Sequence, residues 1–201
     1  MNYLVHLYLS DPCPLCRLGN LMGDFVKGRL EKADFPADLL RGLRQHRAVD
    51  RLAMDHPAVR RSKGRLDDRF GHIKGILIDI FYDHLLSKNW SRWGVGHLAD
   101  FAAGAYDLLQ RHEDLLTETF RPVARRMVRH DWLTAYRDPE NIKTVLNHVA
   151  ARLQRPNLLA QGHGELARCG EAMSADCLAF LHDARARLAR LNTDQTDTRK
   201  R

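Results

Sequence analysis

The chain of 201 residues has no run of eighteen apolar residues, the length a membrane-spanning helix needs. Its apolar opening, MNYLVHLYLS, lacks the basic start and small-residue cleavage site of a signal peptide. A mature N-terminus packed into the fold and a cytoplasmic location are therefore expected. Cysteine is scarce: four residues, unevenly placed, exclude a disulfide scaffold. Cys13 and Cys16 form a CxxC in DPCPLCRLG, but no second pair completes a zinc site and no βαβ context makes a redox motif, so the pair is read as incidental. Alternating runs of the kind that build half-buried strands are rare, and no internal repeat is visible. Acidic charge is also short. Asp and Glu total 25 against 32 Lys and Arg, giving +7 and a sequence pI near 9.5. That excess favours an acidic partner, whether nucleic acid, an anionic surface or an acidic protein. The basic clusters VRRSKGR, RPVARRMVRH and TRKR read first as solvated helix faces.

What the chain does have is apolar residues at three- and four-residue spacing almost throughout. Helices are predicted at about 15–28, 37–55, 57–69, 72–88, 95–111, 113–130, 139–153 and 158–190. Most prolines fall at or just outside these ends, and Pro122 should kink or divide its segment. The opening NYLVHLYLS suits a short strand or a helical turn, with helix preferred. The expectation is all-α: a single-domain helical bundle over 1–191, followed by a disordered basic tail at 192–201. Trp90 and Trp132 are read as core or helix-end anchors.

Several ionisable groups stand in apolar company. In ILIDIFYDHLLSKNW, Asp79 and Asp83 are neighbours four apart, and two half-buried carboxylates so placed call for a cation or a proton. His84 follows directly. His46 and Asp50 share a face in LRQHRAVDRL, Asp24 sits within LGNLMGDFVKG, and His6 within LVHLYL. Imidazole and carboxylate together suit a catalytic divalent metal. Core hydrogen bonds, or salt bridges to Arg47, Arg60 or Arg69, would serve the same groups without one.

Taken in order, MNYLVHLYLS, GNLMGDFVKG, HRAVD, HPAVR and ILIDIFYDHLLSKNW resemble the acyl carrier protein phosphodiesterase family. WLTAYRD and VLNHVAARLQRP extend the likeness to about residue 157; the CxxC lies between its motifs. The resemblance implies an all-helical fold related to HD-type phosphohydrolases, although the dipeptide here runs Asp-His. It implies hydrolysis of the phosphodiester joining 4′-phosphopantetheine to a serine of holo acyl carrier protein. It also implies a divalent metal, Mn2+ foremost, with Mg2+ or Fe2+ as alternatives. Carried over residue by residue, His6, Asp24, His46, Asp50, Asp83 and His84 would surround the metal. Asp79 would be a ligand or orient one, and Arg47 would meet the charge of the diester. The acidic carrier would be the partner, with membrane and nucleic acid not expected. A phosphohydrolase acting on a nucleotide or another diester, and a non-catalytic basic helical module that binds nucleic acid, are the competing readings.

Overall fold

In the computed structural model, residues 1–153 and 155–198 are described, with side chains to residue 190. Among the described residues there is no strand, and the chain is all-α as its periodicity requires. The helices are α1 Tyr3–Leu9, α2 Pro14–Met22, α3 Ala37–Asp55, α4 Pro57–Arg65, α5 Lys74–Lys88, α6 Trp90–Trp93, α7 Leu98–Arg111, α8 Arg121–Arg129, α9 Trp132–Ala135, α10 Pro139–Arg152 and α11 His163–Thr198. None is long and apolar enough to cross a membrane. The expected tail at 192–201 falls on residues whose side chains lie outside the described part; the backbone helix reaches Thr198.

Proline and glycine set most boundaries. Pro14, Pro57 and Pro139 stand at the first turn of α2, α4 and α10, where a missing N–H costs nothing. Pro122 does the same for α8, so the segment at 113–130 is divided: a 3-10 turn at Glu113–Leu115 precedes α8. The helix expected at 57–69 stops at Arg65, and a 3-10 stretch follows that contains Gly71 at φ 43°, a left-handed backbone suited to glycine. His56 caps α4 by accepting from Ala58 N through Nδ1, so its Nε2 donates to Asp183 on α11 at 3.1 Å.

α5 is apolar on nearly every face because it is surrounded, packing against α1, α4, α10 and α11. Phe81, Tyr82, Phe70 and Phe180 fill the core around it, each side chain of this size contributing about 2–3 kcal/mol on burial. Trp90 is buried at the start of α6, and Trp132 opens α9 against Tyr3. On α11, Asp176 is buried too, and Arg61, Arg65 and Ser62 of α4 all donate to it. That carboxylate ties two helices together.

The tightest crossing joins α2 and α3. A Cβ on Gly42 would lie 2.1 Å from the Cys16 carbonyl oxygen, and one on Gly19 2.3 Å from that of Leu39. Only glycine lets these two backbones approach so closely. The crossing brings the end of α2 beside the middle of α3, and that junction carries the chemistry described next.

Candidate active site

His46 and Asp50 lie one turn apart on α3, so both project to the same side. There the His46 Nε2 is 3.1 Å from Asp50 Oδ2 and 3.5 Å from Asp24 Oδ1. Asp24 reaches this place from a 3-10 turn, Gly23–Phe25, that follows α2 directly. The turn begins with glycine for a reason: a Cβ on Gly23 would lie 2.2 Å from Cγ of His46. From α1, His6 stacks its ring on that of His46, with centroids 3.8 Å apart and planes 11° from parallel. Its Nε2 stands 3.3 Å from Asp50 Oδ1. Four side chains from three segments thus meet at one point.

The imidazoles are fixed differently. The Nδ1 of His46 donates to the carbonyl of Asn20 at 2.8 Å, because a carbonyl can only accept. Its Nε2 is therefore the nitrogen turned toward the carboxylates. Asn20 is itself held by Gln45 Oε1 at 2.8 Å, and Gln45 donates on to Leu9 O. This buried amide pair joins α1, α2 and α3 behind the site. His6 has no such anchor: among the described residues neither buried ring nitrogen makes a hydrogen bond, and Nε2 has only the 3.3 Å approach to Asp50. Leaving such atoms unpaired is costly.

The charges follow from this packing. Burial opposes a positive His46, but Asp24 and Asp50 outweigh it and raise its pKa to about 9. Burial lowers that of His6 to about 4, so this ring stays neutral at pH 7. Asp24 is kept below its ordinary value, chiefly by His46. Burial works to raise the Asp50 carboxyl, yet His46, His6 and the Met1 ammonium hold it far below the usual range. That ammonium donates to Asp50 Oδ1 at 2.8 Å and lies 3.6 Å from Asp79 Oδ1. A cation does sit beside Asp79, as carboxylate repulsion requires, but between Asp79 and Asp50 rather than between Asp79 and Asp83.

The site residues expected from sequence therefore separate into groups. His6, Asp24, His46 and Asp50 converge, and Asp79 borders them through Met1. Asp83 and His84 do not join them. Asp83 is 1% exposed, and its two oxygens accept from Leu4 N and Val5 N, both at 2.9 Å. It caps α1 from a distance of 79 residues, since the side chain of Asn2, the residue before that helix, donates to Tyr136 Oη instead. Burial still raises its pKa to about 7 against those two bonds. His84 donates through Nδ1 to the carbonyl of Tyr136 at 2.8 Å and is not among the donors grouped with His6, His46 and Asp50. Arg47 anchors one guanidinium nitrogen on Val26 O at 2.9 Å.

Sequence reasoning passed over Asn20, Gln45 and Gly23. Asn20 carried a usable signal, standing four residues before Asp24 in GNLMGD. Gly23 carried none, because its importance lies in space left for another helix.

The donor set suits a divalent cation. One donor atom each from His6, His46 and Asp50 lies within 4.8 Å of the others, and Asp24 adds a carboxylate at the rim. One nitrogen each from His6 and His46, with the carboxylates of Asp50 and Asp24, is a set such an ion would satisfy, its charge displacing the proton that the carboxylates otherwise hold on His46. A cleft of about 700 Å³ lies elsewhere, between the end of α3 and α11, and is lined by none of these residues.

Comparison with known proteins agrees with the residues. A family model described as acyl carrier protein phosphodiesterase matches residues 1–184. A Photorhabdus laumondii protein of that name is 34% identical over 161 residues, which is 80% of this chain and 81% of that protein. One from a strain of Escherichia coli is 32% identical over 159 residues, 79% of this chain and 81% of its own length. No solved structure matches the chain.

Proposed function

The chain belongs to the acyl carrier protein phosphodiesterase family, and from that premise we propose that the cluster at the α2–α3 crossing is its hydrolytic centre. The reaction cleaves the phosphodiester between 4′-phosphopantetheine and a serine of holo acyl carrier protein. The observation that carries this assignment is the contrast within the cluster itself. The His46 Nδ1 is fixed on Asn20, whereas the Nε2 of His46 and the His6 ring turn to the Asp50 carboxylate, one oxygen of which also accepts from the Met1 ammonium. Two imidazoles and a carboxylate thus offer donor atoms within 4.8 Å of one another.

His6, His46, Asp50 and Asp24 would hold the divalent ion, and Mn2+ is the proposed occupant, in keeping with the family resemblance. When bound, the ion supplies positive charge to the phosphoryl oxygens and makes water a nucleophile near neutral pH. The protein does the rest. Asn20 and Gln45 hold His46 in the tautomer that offers Nε2. Asp24, whose side chain is 62% exposed, is the most exposed member of the cluster. It remains ionised and is proposed to orient the attacking water. Arg47 is proposed to meet the charge that develops on the diester with the donors its Val26 bond leaves over. A proton must reach the departing serine oxygen, and Asp79 at the border of the cluster is proposed to deliver it, since burial raises its pKa.

The partner is proposed to be the acidic carrier itself. A chain of +7 attracts it at long range, and basic side chains stand close to the cluster. The charge of Lys63 is felt at Asp79, and those of Arg152 and Arg126 at the Tyr3 hydroxyl. A cytoplasmic location follows as part of the same proposal.

Incubating the protein and Mn2+ with holo carrier protein, then weighing the carrier, tests the reading. Loss of the phosphopantetheine mass is expected, with chelator preventing it. An unchanged carrier mass across a range of divalent ions would overturn it.

A further inference from the structure

The CxxC at Cys13 and Cys16 lacks a second cysteine pair in sequence, but the fold brings a third donor to it. Cys13 is the residue just before α2, Pro14 opens the helix, and Cys16 is at its third position. Asp38 comes from the first turn of α3. The two sulfurs and a carboxylate oxygen of Asp38 all lie within 4.8 Å of one another. We propose that Cys13, Cys16 and Asp38 form a second, thiophilic cation site, of the kind Zn2+ occupies, that clamps the starts of α2 and α3 together.

The geometry is close to what such an ion needs. Tetrahedral zinc holds two sulfurs about 3.8 Å apart, so closing the site takes movements of about 1 Å or less. Asp38 is exposed and Cys13 half-buried, which leaves an entry path, whereas the sulfur of Cys16 is fully buried beneath them. Arg41 links the donors: its Nε lies 3.0 Å from Cys16 Sγ and 3.6 Å from Asp11, and its Nη1 lies 3.3 Å from Asp38. Donors of this kind orient ligands from outside the first layer. They also balance charge, since two thiolates and a carboxylate are neutralised by a divalent ion together with one guanidinium. Each sulfur binds such an ion as thiolate, so loading the site releases protons. The other two cysteines take no part. Cys169 and Cys177 are buried, with their thiols turned to the carbonyls of Glu165 and Tyr82.

The place matters as much as the donors. The Cys16 carbonyl is the point at which α2 touches Gly42 of α3. An ion bound there would lock the crossing whose far side presents Asp24, His46 and Asp50. The inference concerns these residues alone and stands whether or not the hydrolytic reading does.

Titrating the reduced, metal-free full chain with Co2+ tests it. Sulfur-to-cobalt charge-transfer absorption in the near ultraviolet is expected to saturate as a single site and to bleach when Zn2+ is added. It should persist in His46→Ala, vanish in the Cys13→Ser, Cys16→Ser double variant, and require at least about tenfold more Co2+ in Asp38→Asn. As a second readout, Zn2+ should raise the Tm of the parent protein and not that of the double variant. Far-UV circular dichroism confirms that the variant is folded. Absence of the band in fully reduced protein, or its survival in the folded double variant, would overturn the proposal. So would a Cys13–Cys16 disulfide in protein isolated under nitrogen, which would assign the pair to redox chemistry.

Discussion

Two imidazole–carboxylate groupings lie within a few residues of α1, and they are built in opposite ways. Behind the helix, Asp83 is surrounded by donors: two backbone amides take both of its oxygens, and the neighbouring His84 gives its Nδ1 proton to a carbonyl. Across the helix, His6, His46, Asp24 and Asp50 face mostly one another, and His6 makes no hydrogen bond among the described residues. The first grouping is complete as it stands, because burial is offset by hydrogen bonds to the main chain. The second meets its carboxylates with the Met1 ammonium and two imidazole nitrogens, a set that a divalent ion can also take. Burial of ionisable groups is common to both, so burial alone does not identify a site; unmet donor capacity does.

The largest expected effect tests the open grouping. Asp50→Ala should lower kcat/KM for release of phosphopantetheine by about a thousandfold or more, since it removes the carboxylate shared by both histidines. It should also cost about 1–3 kcal/mol in urea unfolding, because the buried Met1 ammonium and His46 lose a shared partner, while the protein stays folded. A folded Asp50→Ala protein that turns over normally would sink the assignment.

The saturated grouping should respond the other way. Asp83→Ala leaves the amides of Leu4 and Val5 buried without an acceptor at the start of α1, a loss of about 3 kcal/mol in urea unfolding. Activity per folded molecule, assayed at low temperature, should stay within about tenfold of the parent, a loss passed on through the position of His6 on α1. An Asp83→Ala protein of full stability and no activity would erase the distinction between the two groupings.

Between these lie the glycines of the crossing. Gly42→Ala drives a methyl group into the backbone of Cys16, where nothing can swing aside, and about 2 kcal/mol of stability should be lost. Gly23→Ala meets the ring of His46 instead. That ring can tilt, so the variant should keep most of its stability and lose about tenfold in kcat/KM. Measuring both quantities for both variants separates support of the fold from placement of a ligand.

These contrasts also explain what the sequence made legible. The stretch 37–55 was readable as a helix to the residue, and the pairing of His46 with Asp50 followed from it, because side-chain periodicity records a helix face directly. Pro122 announced the division of its segment for the same local reason. His6 and Asp24 stood out as ionisable groups in apolar company, and the family motifs joined them to His46 and Asp50, which no spacing could have done. What stayed hidden depends on backbone groups and on empty space. The partners of Asp83 are amides 78 and 79 residues away, and an unpaired amide has no letter in a sequence. Gly23 and Gly42 matter for a volume they leave to another helix. Asp38 completes the cysteine pair only because α2 and α3 cross at their glycines.

The smallest predicted effect sharpens the comparison at His84. Its Nδ1–H bond to Tyr136 places it in the saturated grouping, so His84→Asn, which keeps a donor near that position, should cost about 1 kcal/mol and leave kcat within about twofold. The pH dependence carries the finer information. Burial lowers the pKa of His84 below its ordinary 6.5, so the folded protein resists a proton that the unfolded chain accepts. The stability associated with a neutral ring is therefore intact above about pH 6.5 and is lost as the pH falls through the folded value. Asparagine does not titrate. The deficit of His84→Asn should consequently be widest near pH 8 and narrow towards pH 5, in urea unfolding of metal-free protein. A deficit that widens on acidification would mean that the folded ring is charged, and would move His84 to the side of the comparison where a carboxylate, not a carbonyl, receives the imidazole.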